Sequence, residues 1–409
     1  MKRRRKEINQ KMTNVAILGY GTIGSGVAKV IKENQDVIKL NSGDDVKVAK
    51  ILDLRDFPGD ENEALITHDY EEIVNDPDID IVVETMGGTK PAFDFVKRAI
   101  LAGKSVCTSN KALVADHGTE LIRTAKEKNV KFYFEASVGG GIPILRPLKT
   151  CIVADQVESI RGILNGTTNF ILTKMEKDGA SYEDVLKEAQ SLGYAEADPT
   201  ADVEGYDTCR KIAILTALTY GAQVDYQDID TKGITQISSE DMEYAKKINR
   251  KIKLLGMSKK ENGKLFALVA PYMLDENDPL FPVSGVFNAI TVKGNMLGDV
   301  MFYGQGAGKE ATASAVVTDI VEAVKKHGEP LDIRWEAEKL TVEPADGLED
   351  RFFVRLSSQD AAAADTLLDY ERIEGVITGE VGFITKKMTY TELQGKLDGL
   401  NALSVIRYA

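Results

Sequence analysis

Between Tyr194 and Lys211 the chain reads YAEADPTADVEGYDTCRK, five carboxylates followed by an Arg and a Lys, directly ahead of the apolar run IAILTALTY. Asp198-Pro199 signals a helix start, so a loop is expected, then a helix through DTCRKIAILTALTYGAQV. On that helix Asp207 and Lys211 are four apart and share a face. A solvated pair of this kind contributes only about 0.3 to 0.5 kcal/mol. This one introduces an apolar run, which predicts partial burial instead. A carboxylate beside an amine favours the ammonium and burial opposes it, so such a lysine is tunable for proton transfer. Glu196 and Asp207 also suit a substrate ammonium. The plainer alternative is a solvated acidic loop capping a helix. His68, His117 and His327 have no paired spacing, so neither a zinc site nor a histidine-based dyad is expected, and proton transfer falls to lysine by elimination. Cys107, Cys151 and Cys209 form no metal or CxxC spacing and read as structural thiols of a reducing compartment.

The elements that would position this chemistry begin with NVAILGYGTIGSGVAKVIKEN. Val15 to Leu18 form a short apolar strand, a glycine turn follows, and Ile23, Val27, Val30 and Ile31 line one face of a helix. Gly19, Gly21 and Gly24 make GxGxxG in the context that a dinucleotide requires, with Thr22 and Ile23 in the same turn and the helix N-terminus facing the phosphates. Further strand signals in VKVAKILDL, IDIVVETMGG and SVCTSN alternate with helical stretches, which predicts a doubly wound parallel sheet of the Rossmann type. Ligands belong at the carboxyl ends of its strands, here Asp53 to Arg55, Thr85 to Gly88 and Thr108 to Lys111. Asp53 suits the ribose hydroxyls of NAD and Arg55 the 2′-phosphate of NADP, and the sequence leaves both open. Asp53 also reads as a turn residue. Lys111 follows a strand end where a nicotinamide ring belongs, although solvated lysines before helices are common.

FYFEASVGGGIPILRPL begins as a strand and then offers Glu135 and a glycine-rich turn whose backbone carbonyls can converge, a donor set for a hard monovalent cation such as Na+ or K+. A plain loop is the alternative. RGILNGTTNFILTKM reads as strand, turn and helix start. With 43% hydrophobic and 28% charged residues, a 409-residue chain is globular and long enough for two or three domains. A formal net charge of -13 argues against nucleic acid or an anionic membrane as partner. No apolar stretch approaches the ~20 residues that span a bilayer, and a cytoplasmic protein is expected.

Taken together, LGYGTIGSGV, TSNKALVA, FEASVGGGIPI, NGTTNFILTKM and GYAEADPTADVEGYDTCRKIAIL closely resemble homoserine dehydrogenase in order and spacing, from about residue 13 to 330. The resemblance implies NAD(P)-dependent interconversion of L-homoserine and L-aspartate 4-semialdehyde, in the route to threonine and methionine, by a homodimer or homotetramer. It implies that Lys211 is the acid/base and Lys111 a second lysine near the reacting oxygen. Glu196 and Asp207 would bind the substrate amino group, with Asp202 supporting them and Gly193 close to both ligands. Glu196, Thr85 and Gly306 fall at cofactor-binding positions. Carbonyls of Val138, Gly140 and Ile142, with Glu135, match the family's monovalent cation site.

The domains expected are a basic leader at 1–12, either a disordered tail or an overextended start; a dinucleotide-binding domain at 13–145; and an α+β substrate-binding and dimerisation domain at 146–305. A helix at 306–330 returns to the nucleotide domain, a linker spans 331–346, and a small βαββαβ domain occupies 347–409. The strands of that last segment are expected in DRFFVRLSS, IEGVIT, EVGFITKKM and LSVIRYA, and its helices in AAAADTLLDY and TYTELQGKLDGL. It resembles the ACT regulatory domain, but without the usual glycine-containing loop where an amino-acid effector would sit. No fused aspartate kinase is expected. The rival readings are another NAD(P) oxidoreductase of amino-acid metabolism and a catalytically dead nucleotide-binding regulator, and both fit poorly with Lys111, Glu196, Asp207 and Lys211 all in place.

Overall fold

A computed structural model describes residues 12–362 and 370–409. The basic leader up to residue 11 and residues 363–369 of the expected AAAADTLLDY helix lie outside the described residues. The chain forms two compact units, one ending at Pro143 and taking in Ala307–Ala337, the other made of Ile144–Gly306 and Glu338–Ala409.

In the first unit, six parallel strands are ordered β3-β2-β1-β4-β5-β6: β1 (Met12–Leu18), β2 (Asp45–Leu52), β3 (Ile66–Thr67), β4 (Ile81–Glu84), β5 (Ser105–Thr108) and β6 (Phe132–Tyr133). Val15, Ala16, Ile17 and Leu18 are all fully buried, as expected where helices cover both faces of a parallel sheet and strands become continuous apolar runs. The order reverses between β1 and β4, and the crevice beyond the carboxyl ends at that reversal is where such sheets take ligands. Helix Lys309–Lys325 packs on helix Thr22–Glu33. A Cβ at Gly26 would lie 3.0 Å from the Ala313 Cβ, so the small residue sets how closely the two helices approach.

In the second unit one long sheet runs in the order Gly298–Gln305, Phe287–Gly294, Val157–Ile163, Lys251–Glu261, Lys264–Leu274, Ala402–Tyr408, Glu349–Ser357, Glu380–Thr385, Tyr370–Ile373. The C-terminal segment shares this sheet through parallel pairing of Tyr272 with Arg407 and Met273 with Tyr408. Among the described residues of that segment, the four strands in this sheet lie, counted along the chain, in the spatial order 4-1-3-2. The expected IEGVIT strand is instead Tyr370–Ile373, because Gly375 takes a φ of 72° and turns the chain. Arg355 fastens this segment to helix Ser239–Lys247, donating to the Asp241 carboxylate at 3.0 Å and to Glu380 at 2.8 Å.

The expected helix through DTCRK is two pieces, Thr200–Val203 and Tyr206–Tyr220, separated at Gly205 with φ 84° and ended at Gly221 with φ 80°, so GAQV is not helical. The long helix is buried around most of its circumference. It lies tightly on strand Lys251–Glu261: a Cβ at Gly256 would come within 2.9 Å of the Thr208 methyl and 3.3 Å of Ile212.

Candidate active site

Lys211 is buried, in the first turns of helix Tyr206–Tyr220. Its Nζ donates to the Asp207 carboxylate (Oδ2) and to the Leu164 carbonyl, both at 2.7 Å. An ammonium has three N–H donors. Two are taken by these acceptors, and the third has no partner among the described residues. The side chains of Lys211 and Asp207 are 11% and 5% exposed, so this is not the solvated pair that spacing alone permits. Removing one member of a buried pair strands the other at a cost of about 3 to 5 kcal/mol. Leu164 and Asn165 stand immediately beyond strand Val157–Ile163. The Asn165 amide donates to Asp202 at 2.7 Å and Asp207 at 2.9 Å. Thus Asp202, Asp207 and Lys211, all candidates from sequence, converge. Asn165, which the sequence reading passed over within NGTTN, joins them. The signal was available, since an Asn after a strand and before a helix is a strong N-cap.

Glu196 and Gly193 lie on the exposed loop before helix Thr200–Val203, where Gly193 has φ 75°. The Thr167 hydroxyl holds that loop by donating to the Tyr194 carbonyl at 2.6 Å. The Glu196 side chain has no partner among the described residues.

In the first unit the three glycines serve three purposes. Gly19 has φ 92°, and a Cβ there would also meet Met86 at 3.0 Å. At Gly24 a Cβ would fall 1.9 Å from the Gly19 carbonyl oxygen, so this residue sets helix-on-strand packing. A Cβ at Gly21 would meet nothing within 4 Å, and no side chain caps helix Thr22–Glu33, which Thr22 and Ile23 open. Open space over uncapped N–H groups fits a pyrophosphate. Thr85 braces the turn, its hydroxyl donating to the Gly19 carbonyl at 2.9 Å.

Asp53 and Arg55, read from sequence as alternatives, are partners. Arg55 donates Nε at 2.9 Å and Nη2 at 3.0 Å to the Asp53 carboxylate, which also accepts the Tyr20 N–H at 2.8 Å. The Arg55 guanidinium, with those N–H donors, holds the Asp53 carboxyl down at about 2. Arg55 itself is largely exposed.

Lys111 is the first residue of helix Lys111–Lys128, capped by Asn110, whose Oδ1 accepts the Leu113 N–H at 3.1 Å. A further residue missed from sequence is Glu84, the last of β4. It accepts the Met86 N–H at 2.8 Å and the Thr108 hydroxyl at 2.6 Å, tying the ends of β4 and β5 together. Burial pushes its carboxyl up, offset in part by these bonds. A lone acid closing the apolar run IVV was its signature.

Glu135, Val138, Gly140 and Ile142 share one buried turn. The Glu135 N–H donates to the buried Asp319 carboxylate at 2.8 Å, and the Ile142 N–H closes the turn on the Gly139 carbonyl at 2.9 Å. Two interior carboxyl-bearing residues beside a glycine-rich run of carbonyls make a donor set that fits a hard cation. Gly306 packs against Asn288, whose Nδ2 would lie 1.9 Å from any Cβ there.

A parallel sheet with an open glycine turn, together with a buried lysine held by a carboxylate and a carbonyl, defines the class: a nicotinamide-dependent oxidoreductase. The comparisons give the family. The model described as homoserine dehydrogenase, NAD binding domain, matches residues 19–135, and the model described as homoserine dehydrogenase matches 143–321. The chain is 45% identical to the homoserine dehydrogenase of Bacillus subtilis (strain 168), over 77% of this chain and 73% of that protein. A crystal structure of a homoserine dehydrogenase from Thiobacillus denitrificans is similar at a TM-score of 0.90 and 35% identity, covering 98% of this chain and 99% of that one. A hyperthermophilic archaeal homoserine dehydrogenase in complex with NADPH is similar at a TM-score of 0.65 and 30% identity, covering 77% of this chain and 98% of that one. The chain belongs to the homoserine dehydrogenase family and is an oxidoreductase acting on a CH-OH group. No helix among the described residues is long and apolar enough to cross a membrane.

Proposed function

We propose that this chain interconverts L-homoserine and L-aspartate 4-semialdehyde, in the supply of threonine and methionine, with Lys211 as the proton-transfer group. The observation that carries this reading is the buried lysine with two N–H bonds spent on Leu164 and Asp207 and one left for a reacting oxygen. In the reducing direction the Lys211 ammonium gives its proton to the oxygen formed from the aldehyde, and in oxidation the amine takes the hydroxyl proton back, directly or through a held water. The nicotinamide, when bound, supplies or receives the hydride. Asp207 keeps the lysine oriented and, with Glu196, attracts the substrate ammonium, while Asp202 supports Asp207. Lys111 adds positive charge near the reacting oxygen. Gly19, Gly21 and Gly24 with Thr22, Ile23 and Thr85 would hold the dinucleotide, and Gly193 and Gly306 lie at the family's ligand-lining positions.

NADP is the proposed cofactor. The Asp53 carboxylate is occupied in holding Arg55, and the exposed guanidinium suits a 2′-phosphate. Glu135 with the carbonyls of Val138, Gly140 and Ile142 is the proposed Na+ or K+ site. The C-terminal segment is proposed as a degenerate ACT-like module supporting a cytoplasmic homodimer or homotetramer. The test follows loss of near-ultraviolet absorbance of NADPH, and separately NADH, with aspartate semialdehyde and purified protein. Consumption of NADPH ahead of NADH supports the reading. Bound cofactor without turnover would instead mark a non-catalytic regulator.

A further inference from the structure

The Asn165 amide stands at the joint of the proposed centre, and its two ends face opposite demands. A helix N-terminus leaves N–H groups without intrahelical partners. Oδ1 of Asn165 answers that need for helix Gly166–Asp178, accepting the Thr168 N–H at 2.9 Å and the Thr168 hydroxyl at 3.1 Å. The amide is planar, so Nδ2 is thereby turned to the other side, where it donates to Asp202 at 2.7 Å and Asp207 at 2.9 Å. Reversing the amide would set its oxygen against two carboxylates and its NH2 against an N–H. Both ends therefore select one orientation, and only 5% of the residue is exposed.

Asp202 lies on helix Thr200–Val203 and Asp207 on helix Tyr206–Tyr220, with the left-handed Gly205 between them. One amide thus bridges the break and holds two like charges against the same donor group. The preceding carbonyl, Leu164, takes the Lys211 ammonium at 2.7 Å. A single dipeptide beyond strand Val157–Ile163 touches every charged member of the cluster.

We infer that Asn165 is a positioning residue: its NH2 group fixes Asp202 and Asp207 and, through Asp207, the direction of Lys211. This rests on the reading of Lys211 and Asp207 as the proton-transfer centre. Residue chemistry separates it from a mere helix cap. Asn, Asp, Ser and Thr all cap well, but only Asn caps and also supplies two donors from one planar group. Asn165→Asp keeps size and cap while replacing the donor with a third carboxylate.

The experiment compares Asn165→Asp with the parent for kcat and KM on homoserine, for NADPH affinity by fluorescence titration, and for Tm. We expect Asn165→Asp to lose about 100-fold in kcat and to raise the homoserine KM, with NADPH affinity within about twofold and folding retained. A kcat within about threefold of the parent would overturn the inference, because a cap alone is preserved. Should the aspartate variant fail to fold, Asn165→Ser decides. Its hydroxyl caps without the amide, so a loss of about tenfold or more in kcat at unchanged NADPH affinity supports the assignment and parental turnover removes it. A parent that binds NADPH but leaves homoserine untouched counts against the functional reading itself. An active parent with an equally active Asn165→Asp counts only against Asn165.

Discussion

The two units build their sites from different materials. In the first, the site is backbone: a glycine turn, uncapped helix N–H groups and empty space above Gly21. In the second, it is side chains, with the one backbone carbonyl of Leu164, from three separated segments, Leu164-Asn165, Asp202 and Asp207-Lys211, joined by hydrogen bonds of 2.7 to 2.9 Å. A backbone site depends on which atoms are absent, so adding a methyl group damages it. A side-chain site depends on partners, so removing one group damages it.

The largest effect expected from that contrast is at Lys211. Lys211→Ala should lower kcat by about 1,000-fold while NADPH affinity stays near the parent's, since general acid–base groups contribute about 10² to 10⁴. Near-normal kcat in that variant would dissolve the distinction between the two sites. Next come the glycines, which sharpen it. Gly24→Ala forces a Cβ into a carbonyl oxygen 1.9 Å away and should cost about 2 kcal/mol or more of stability, visible as a lower Tm. Gly21→Ala meets no protein atom within 4 Å, so its Tm should hold while NADPH binding weakens. Equal behaviour of the two variants would show that the turn is merely structural.

Smaller changes follow at buried charges. Glu135→Ala should blunt the activation of turnover by Na+ or K+ by about threefold or more, on the scale of losing one oxygen ligand; a salt response equal to the parent's would remove the cation from the account. Lys253 is fully buried, donating to the Val283 carbonyl at 2.6 Å and to Asn169 at 3.2 Å. Burial lowers its amine from 10.5 to about 8. A lysine with a depressed folded value binds fewer protons than the unfolded chain between about 8 and 10.5, so stability rises with pH across that window. The Tm of the parent relative to Lys253→Met should therefore climb from pH 8 towards 10, and a constant difference would contradict the assignment.

Most of the first unit was readable because its signals are local. GxGxxG, the apolar run into Leu18 and the alternation of strands with helices require no distant partner, and the open turn at Gly21 follows from glycine's missing Cβ. Glu84 escaped because its partners, Thr108 and the Met86 N–H, are assembled by neighbouring strands of the sheet. Asp53 and Arg55 were legible as candidates, whereas their mutual pairing depends on side-chain conformations that spacing leaves open.

For the second unit, the i,i+4 relation of Asp207 and Lys211 and the apolar run behind them determined that a lysine would be drawn inside a helix beside a carboxylate. The sequence also determined the break at Gly205, through a residue that tolerates positive φ, although the helix-start signal at Asp198-Pro199 obscured it. Tertiary structure alone decided that Leu164 and Asn165 meet this helix, and that Glu196 is exposed on the loop before it. The physical reason is range. Helical periodicity fixes neighbours within a turn, but a buried ammonium and its carboxylates must find their remaining partners wherever the packing of strand Val157–Ile163 delivers them.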